Sequence, residues 1–429
     1  MHVPRAKRSV PAVSLVAVLV LAAIGFLLLP AASAASTSSA APRASAGPST
    51  LPSLTLVSAP PSGAKGPDDI TSHSLLGNGS GTQLLWTAYQ NGINPDGSPG
   101  TTGGPTQSTI AGYDPSTGTL VKTINITGKI DGLAADPTLG RLIATINEDS
   151  NSSLCVVNQT SGYVAHYAFS PSPTVSGNGG TDSIAIWHGA IYVVHSNPND
   201  TSQPAEYLVT LHPTMHVAQL TPLFRDDSVA RNAVSGSSAP MALVDPDTSL
   251  VLPSLTPRFG GELATISQAD GAVVFAQAGA HHHLEILNVT DNKSGNVPPI
   301  DGMTVATASE GTLYVVDAKA GTITALTTDG WPAGTVFVGE PSDNGNPLIG
   351  TLNLSSGAIT PLGNHFVSPK GLLFVPDLDG SPGVAHHEHH GHHDHDARGH
   401  GGEGDGHPDW ETLFGRAMAA LTTANLRSV

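Results

Sequence analysis

Between residues 51 and 377 the sequence predicts an all-β fold, and within that class a β-propeller. Three observations lead there. The chain has 429 residues, of which 39% are hydrophobic and only 12% charged, with 48 glycines and 34 prolines. That is too apolar for a disordered chain and too rich in turn formers for a helical bundle. Short apolar runs alternate with turn chemistry such as "DPSTG", "DPTLG", "DPDTS", "QADG" and "SSG", and no amphipathic helix of ordinary length interrupts them. One four-strand phrase also restarts along the chain, as in a fold built of radial repeats and unlike a single sandwich.

The elements follow in order. "MHVPRAKRSVP", "AVSLVAVLVLAAIGFLLLP" and "AASA" supply a basic start, an apolar core and small residues. This is the pattern of a secretory signal peptide over residues 1–34 with cleavage after Ala34; an uncleaved anchor is the alternative reading of the same apolar run. Either way the body is expected outside the cytoplasm, secreted or at the cell surface. Cys155 is the single cysteine, so no intrachain disulfide forms, which fits a large exported bacterial protein. Residues 35–50, "ASTSSAAPRASAGPST", read as a linker without structure. The propeller domain is expected over 51–377, a His-rich low-complexity tail over 378–408, and an amphipathic helix over 409–426. In that helix Trp410, Leu413, Phe414, Ala417, Met418 and Leu421 recur at helical spacing behind Asp409 as N-cap.

The repeats can be indexed by the residue two positions before the first apolar residue of a recurring strand. This gives Asp68, Asp131, Asp182, Ala239, Asp301 and Lys370, at intervals of about 50 to 70 residues, enough for four strands each. Six blades are expected; five and seven stay open, because "KGLLFVP" is a lone last strand and the fifth repeat is overfull with "GTVFVGEPSDNGNPLIGTLNLSSGAITPLG". "LPSLTLVSAP" is placed to add an outer strand to that last sheet, which would remove an exposed edge. "TIAGYDPSTGTLVKTINITG", "LYVVDAKAGTITAL" and "SPKGLLFVPD" resemble the repeats of YVTN- and NHL-type β-propellers over about Pro67 to Pro376. The resemblance implies the fold; it does not choose among the many functions such propellers host.

Innermost strands line a propeller's channel, so Asp68, Asp131, Asp182, Asp301 and Lys370 are candidates for a channel ring. Several carboxylates at one level suit a hard cation such as Ca2+. The competing reading is that each Asp caps backbone amides where its strand begins. Gluconolactonase-like propellers bind a central metal with Glu, Asn and Asp. Here "GPDDITSH" lacks the glutamate, though His73 and Asp69 stand nearby in sequence. No GxSxG occurs, and Cys155 falls in a predicted strand as a small buried residue. "HHHLE" at His281–Glu285 reads as solvated loop histidines, or else as a weak metal ligand. "NPDGSPG" at Asn94 and "DLDGSPG" at Asp377 read as turns, because both lack the later ligands of a calcium loop.

The tail is different in kind. His386, His387, His389, His390, His392, His393, His395, His400 and His407 are interleaved with Glu388, Asp394 and Asp396. They suit Zn2+, Ni2+ or Cu2+ in several weak, exchanging sites, lost as histidines protonate below about pH 6; a solubilising tail is the plainer alternative. The chain carries 17 basic and 34 acidic residues and 20 histidines, for a net −17 with histidine neutral. Protonation of the histidines removes most of that charge between about pH 7.5 and 5.5. Nucleic acid is excluded as a partner for want of a basic patch. The functional expectation is a monomeric, non-enzymatic binding or scaffold module with a metal-binding tail, whose partner is an unidentified protein or small molecule. It would touch a membrane only through an uncleaved N-terminus. The alternative is a metal-dependent lactone hydrolase working in the channel.

Overall fold

The computed structural model describes residues 53–58, 60–74, 83–136, 138–173, 179–196, 202–277, 283–291, 297–328, 330–342, 347–363 and 365–377. The signal, linker, His-rich tail and C-terminal helix expected above lie outside the described residues. Within them the chain is strands and turns, with one short 3-10 turn at Pro213–Met215. Among the described residues no helix is long and apolar enough to cross a membrane.

In chain order, β1 spans Ser53–Ser58 and is set aside for the moment. Strands β2 (Pro67–Ser74), β3 (Gln83–Tyr89), β4 (Gln107–Tyr113) and β5 (Leu120–Thr127) form one antiparallel meander. A second follows in β6 (Ile130–Asp136), β7 (Arg141–Ile146), β8 (Ser153–Asn158) and β9 (Val164–Ser170). A third comprises β10 (Gly180–Trp187), β11 (Ala190–Ser196), β12 (Pro204–His212) and β13 (Val217–Arg225), and β13 runs parallel against β9. A short hairpin, β14 (Val229–Asn232) and β15 (Ser238–Pro240), then precedes the fourth meander: β16 (Pro246–Val251), β17 (Leu263–Ser267), β18 (Ala272–Ala276) and β19 (Leu284–Asn288). The hairpin extends that sheet at its outer edge, with β14 parallel to β19.

The last two sheets are interlaced. After β20 (Thr290–Asp291) the chain lays down β21 (Gly302–Val305), then β22 (Gly311–Asp317) and β23 (Thr322–Thr327), then β24 (Val336–Glu340), β25 (Leu348–Leu352) and β26 (Ala358–Gly363), and finally β27 (Pro369–Pro376). β21 pairs with β24, giving the sheet β20-β26-β25-β24-β21. β22 and β23 cross over to pair with β27, and β1 completes that sheet by pairing with β23. "DGMTVATASEGTLYVVDA" reads locally as strand, turn, strand, yet its two halves lie in different sheets. The overfull fifth repeat is thereby explained, since its extra strands are the outer strands of the sheet that begins with β21. Apolar periodicity marks a strand but does not name its long-range partner.

The sheets close into a propeller because both faces of each are apolar and find a neighbour. Middle strands such as β3 and β18 are buried along nearly their whole length, whereas the outer strand β5 alternates between exposed and buried. Buried clusters join each sheet to the next. Trp86 and Ile110 meet Leu142 and Cys155, Tyr167 meets Ile184 and Tyr207, Trp187 meets Leu263 and Val274, and Phe275 meets Met303 and Val338. Phe337 meets Phe374, and Tyr314 and Val316 return to Leu85 and Tyr89 of the first sheet. In that last interface the Tyr89 and Tyr113 hydroxyls hydrogen-bond at 2.8 Å.

In the first two meanders the turns between third and fourth strands share one device. An Asp or Asn side chain accepts the next backbone amides, and a glycine four residues on takes positive φ. Asp114 Oδ1 accepts from Ser116 N at 2.8 Å and Gly118 has φ 66°; Asn158 Oδ1 accepts from Ser161 N at 2.8 Å and Gly162 has φ 78°. Only glycine adopts that conformation without strain.

Glu206 on β12 is fully buried between the third and fourth sheets, where Ser249 Oγ (3.0 Å) and Thr265 Oγ1 (2.7 Å) donate to its carboxyl. Burial pushes the carboxyl up from 4.5 to about 7, against those two hydrogen bonds. The folded state therefore binds this proton more tightly than the unfolded chain, and stability falls as pH rises from about 4.5 through 7, by about 3 kcal/mol at completion. The variant Glu206→Gln should accordingly be more stable than the parent at pH 8 and close to it at pH 5, as read from urea midpoints at the two pH values. A parent advantage at pH 8 would contradict the assignment.

Candidate functional site

The inner strands begin at one level of the channel, and their first polar residues line one cavity of about 150 Å3. Asp68 comes from β2, Asp131 from β6, Asp182 from β10 and Lys370 from β27, while Asp301 stands just before β21. The structure thus brings together every channel residue expected from sequence except Ala239. That residue lies exposed on β15, at the outer edge of the fourth sheet. Its place is taken by Asp247 on β16. The indexing failed because the position two after the aspartate, apolar in the other inner strands, is Ser249 here, which donates to Glu206, so the first apolar side chain, Leu250, comes one residue later. The run "PMALV" then offered a false start.

The small residue after several ring members also has a reason. A Cβ on Gly302 would run into the Lys370 carbonyl, and one on Gly371 into the Asp68 carbonyl. At the equivalent point in β16, Thr248 Oγ1 donates to the Asp301 carbonyl instead. The "DG" and "KG" pairs are close approaches of neighbouring strands rather than turns. The backbone-cap reading applies to Asp69, whose Oδ2 accepts from Leu133 N at 2.8 Å. Asp68, Asp131 and Asp301 meet side-chain donors.

Asp69, noted above beside the missing glutamate, lines the same cavity, and so do residues that escaped the sequence reading: Gln90, Lys129, Glu148, Asp245 and Gln268. Gln90, Glu148 and Gln268 follow the second strands β3, β7 and β17. An antiparallel hairpin returns the end of its second strand to the level where its first began, so a polar residue just after the second strand was the available signal. Gln90 Nε2 donates to Asp68 Oδ2 at 2.7 Å, and Gln268 Nε2 to Asp301 Oδ2 at 2.9 Å.

Eight carboxyls and two ammoniums share this space, and they divide into groups. The Lys370 ammonium lies 2.9 Å from Asp301 Oδ2 and 3.4 Å from Asp68 Oδ1. Burial works against its charge, but Asp301 and Asp68 outweigh burial and hold the ammonium on well above its usual range. Lys129 stands 2.5 Å from Asp131 Oδ1 and also pairs with Glu148. Burial raises Asp131 well above the carboxylate range despite Lys129. Glu148 is held below it by Lys129 although burial opposes this, and the two carboxyls hydrogen-bond each other. One proton serves this pair, so Asp131 Oδ2 needs no other donor. Asp182 and Asp247 form a second hydrogen-bonded carboxyl pair, both raised well above the usual range, first by burial and then by neighbouring charge, Asp247 for the one and Asp301 for the other. Asp245 is raised to about 6, by burial and then by Glu148.

Among the described residues no three His, Cys, Asp or Glu side chains converge to hold a metal ion. The two ammoniums stand among four of these carboxyls, Asp182 shares a proton with Asp247, and Asp69 accepts from a backbone amide. This donor set does not match a resident calcium ion, and no step below is routed through one. Elsewhere, Cys155 is buried and its thiol is pushed up to about 12 by burial, which leaves no nucleophile. Asn94–Gly100 is a turn, with Asp96 Oδ1 accepting from Ser98 N at 2.9 Å. His283 is an exposed residue at the start of β19, and His281 and His282 lie outside the described residues. So does the nine-histidine tract.

No family model matches this chain, and no curated protein does. Solved structures do. A periplasmic gluconolactonase of Pseudomonas aeruginosa is similar at 12% identity and a TM-score of 0.39, covering 68% of this chain and 85% of its own. A streptogramin B lyase is similar at 12% identity and a TM-score of 0.38, over 76% of this chain and 95% of its own. Two further solved structures with lactonase names match at 11% identity, with TM-scores of 0.41 and 0.39. At that distance the similarity assigns no activity to this chain. The propeller stands on its own strand pairing and sheet-to-sheet packing.

The ion pairs make a prediction. Lys370→Met leaves Asp68 and Asp301 without their counter-ion. It should cost about 3 kcal/mol at pH 8, a penalty that shrinks as pH falls through the carboxylate range and those acids take up protons. Denaturant titrations of parent and variant at pH 8 and pH 4.5 read the difference; a pH-independent loss would mean that packing, not charge, is what Lys370 contributes.

Proposed function

We propose that this chain is a hydrolase of small cyclic esters, acting at the carboxyl-lined end of the propeller channel. The observation that carries this reading is the division of acids in one polar cavity. A carboxyl pair that retains a proton, Asp182 and Asp247, stands in the same cavity as a carboxylate poised near neutral pH, Asp245. Carboxyls driven apart in pKa by their surroundings are the equipment of acid–base catalysis. A cavity of about 150 Å3 has room for about five waters, at roughly 30 Å3 each, or for one sugar-sized ring.

The chemistry asked of these groups is modest. Asp245, ionised above about pH 6, takes a proton from water as the water oxygen adds to the ester carbonyl. The ammoniums of Lys129 and Lys370 supply positive charge for the oxygen on which negative charge develops. When the acyl C–O bond breaks, the Asp182–Asp247 pair gives its proton to the departing ring oxygen, and the product is an open hydroxy acid. The proton taken by Asp245 returns to solvent as the pair is refilled.

With a six-carbon sugar δ-lactone and spontaneous hydrolysis subtracted, kcat/KM should rise through about pH 6 as Asp245 ionises. It should fall again where the Asp182–Asp247 pair loses its proton. Asp245→Asn should lower the rate by about 10²–10⁴-fold with little change in stability. A folded parent protein with no rate above background on sugar or simple aliphatic lactones would end this reading and leave the binding-module reading in its place.

The His-rich tract supports a second, separable proposal. Nine histidines between His386 and His407 are proposed to bind Zn2+ in several weak sites, as an accessory to an exported protein. Calorimetry with zinc should show uptake by the full chain at pH 7.5, loss of it at pH 5.5, and none by protein ending at Asp377. Equal uptake by both proteins would remove the tract from the metal chemistry. Calcium added to the shortened protein should find no stoichiometric site, because Lys129 and Lys370 already hold the cation positions.

A further inference from the structure

We propose that His195 is a proton-operated latch on the chain entering β10: its imidazolium holds the carbonyls of both Pro173 and Pro204, and its neutral ring holds only one. His195 lies on β11 and is 1% exposed. Its Nδ1 is 2.9 Å from the Pro204 carbonyl oxygen and its Nε2 is 3.0 Å from that of Pro173. Both partners are acceptors with no hydrogen to give. A neutral imidazole carries one N–H, so one of the two carbonyls then faces a ring lone pair. Only the imidazolium donates to both. The charged ring matches its acceptors but is harder to bury; the neutral ring is easier to bury but leaves an acceptor unmatched. Neither state is satisfied in full, which suits a switch better than a fixed strut. None of this depends on what the carboxyl cavity catalyses.

The position gives the latch its reach. Pro204 opens β12, next to β11 in the third meander, whereas Pro173 follows β9 of the second, and the chain continues from it to Gly180 at the start of β10. Across the strands His195 stands opposite Thr181, the residue before Asp182. Thr181 N donates to Ser152 Oγ at 3.1 Å, and a Cβ on Gly180 would meet the Glu148 carbonyl. The junction that His195 holds is therefore packed against two residues of the cavity, Asp182 and Glu148. Neighbouring charge does not decide the state of the ring. Tyr207 on β12 stands edge-on with ring centroids 5.9 Å apart, and burial pushes its phenol up to about 12. Asp226 and Arg225, at the end of β13, act on Tyr207. Glu206 turns to Ser249 and Thr265 of the fourth sheet, and Asp182 to Asp247 in the channel. Asp200 lies outside the described residues. Burial lowers the pKa of His195 below its usual value, against the pull of the two carbonyls. The ring is neutral at pH 7 and takes up its proton in mild acid.

The test uses the full chain with 15N-labelled histidine, and His195→Gln to assign the resonances. At about pH 7.5 one His195 nitrogen should carry a proton and the other none; in mild acid both should carry one, with a midpoint below about 6.5. Amide exchange from Ser172 to Asp182 and from Gln203 to Glu206, corrected for its intrinsic pH dependence, should slow about tenfold across that midpoint, as expected for one added hydrogen bond from a charged donor. His195→Gln should show no such step. A ring whose protonation stays the same from about pH 8 to 4.5 would overturn the latch. So would a parent whose exchange shows no step as the ring titrates. Both readings are made on the parent chain, so they decide the matter even where the variant fails to fold.

Discussion

Ring closure is the constraint on which the rest of this structure depends. Each sheet is apolar on both faces, so no sheet is stable alone and the row of sheets must return on itself. The closing interface sets Tyr314 and Val316 of β22 against Leu85 and Tyr89 of β3. β1, from the N-terminal part of the described chain, hydrogen-bonds along β23 at the outer edge of the same sheet. Closure also fixes the channel. Once the inner strands stand in a ring, their first residues face one another whatever their chemistry, and a charge placed there must be matched there.

That matching explains the order of the site. A low-dielectric space holding eight carboxyls would repel itself apart unless the charges were divided. Two ammoniums neutralise part of the set, amide side chains just after the second strands satisfy further oxygens, a backbone amide caps Asp69, and Asp182 and Asp247 are joined by a proton. The protonation states follow from folding cost, and the chemistry proposed for the cavity is a by-product of the same accounting. The glycines beside ring members belong to this economy too, because they let neighbouring backbones close in until the acids share a cavity.

Much of this was legible in the sequence, and the exceptions have physical causes. The repeated strand starts located Asp68, Asp131, Asp182, Asp301 and Lys370, because a strand period and a turn are local properties. Asp247 was missed because Ser249, which meets the buried Glu206, stands where the other inner strands have their first apolar residue. Gln90, Glu148 and Gln268 were missed because their role depends on the return of a hairpin, not on a motif. The partners β1 and β27 of the sheet holding β22 and β23 lie near the two ends of the described chain, beyond the reach of a local pattern.

The interlacing of the last two sheets bears on how the molecule is assembled in time. β22 and β23 are made before β24 to β26 but cannot be completed until β27 exists, and β1, made first, waits for β23. The earliest and latest segments are therefore joined in one sheet, a connection of the highest possible sequence separation and so a slow step. A nascent chain has open sheet edges at both ends until its final strand is available, which exposes it to misassembly. It also means that the closed ring does not form on a partial chain. Any machinery that handles this polypeptide as a thread has until the synthesis of Pro369–Pro376 to do so.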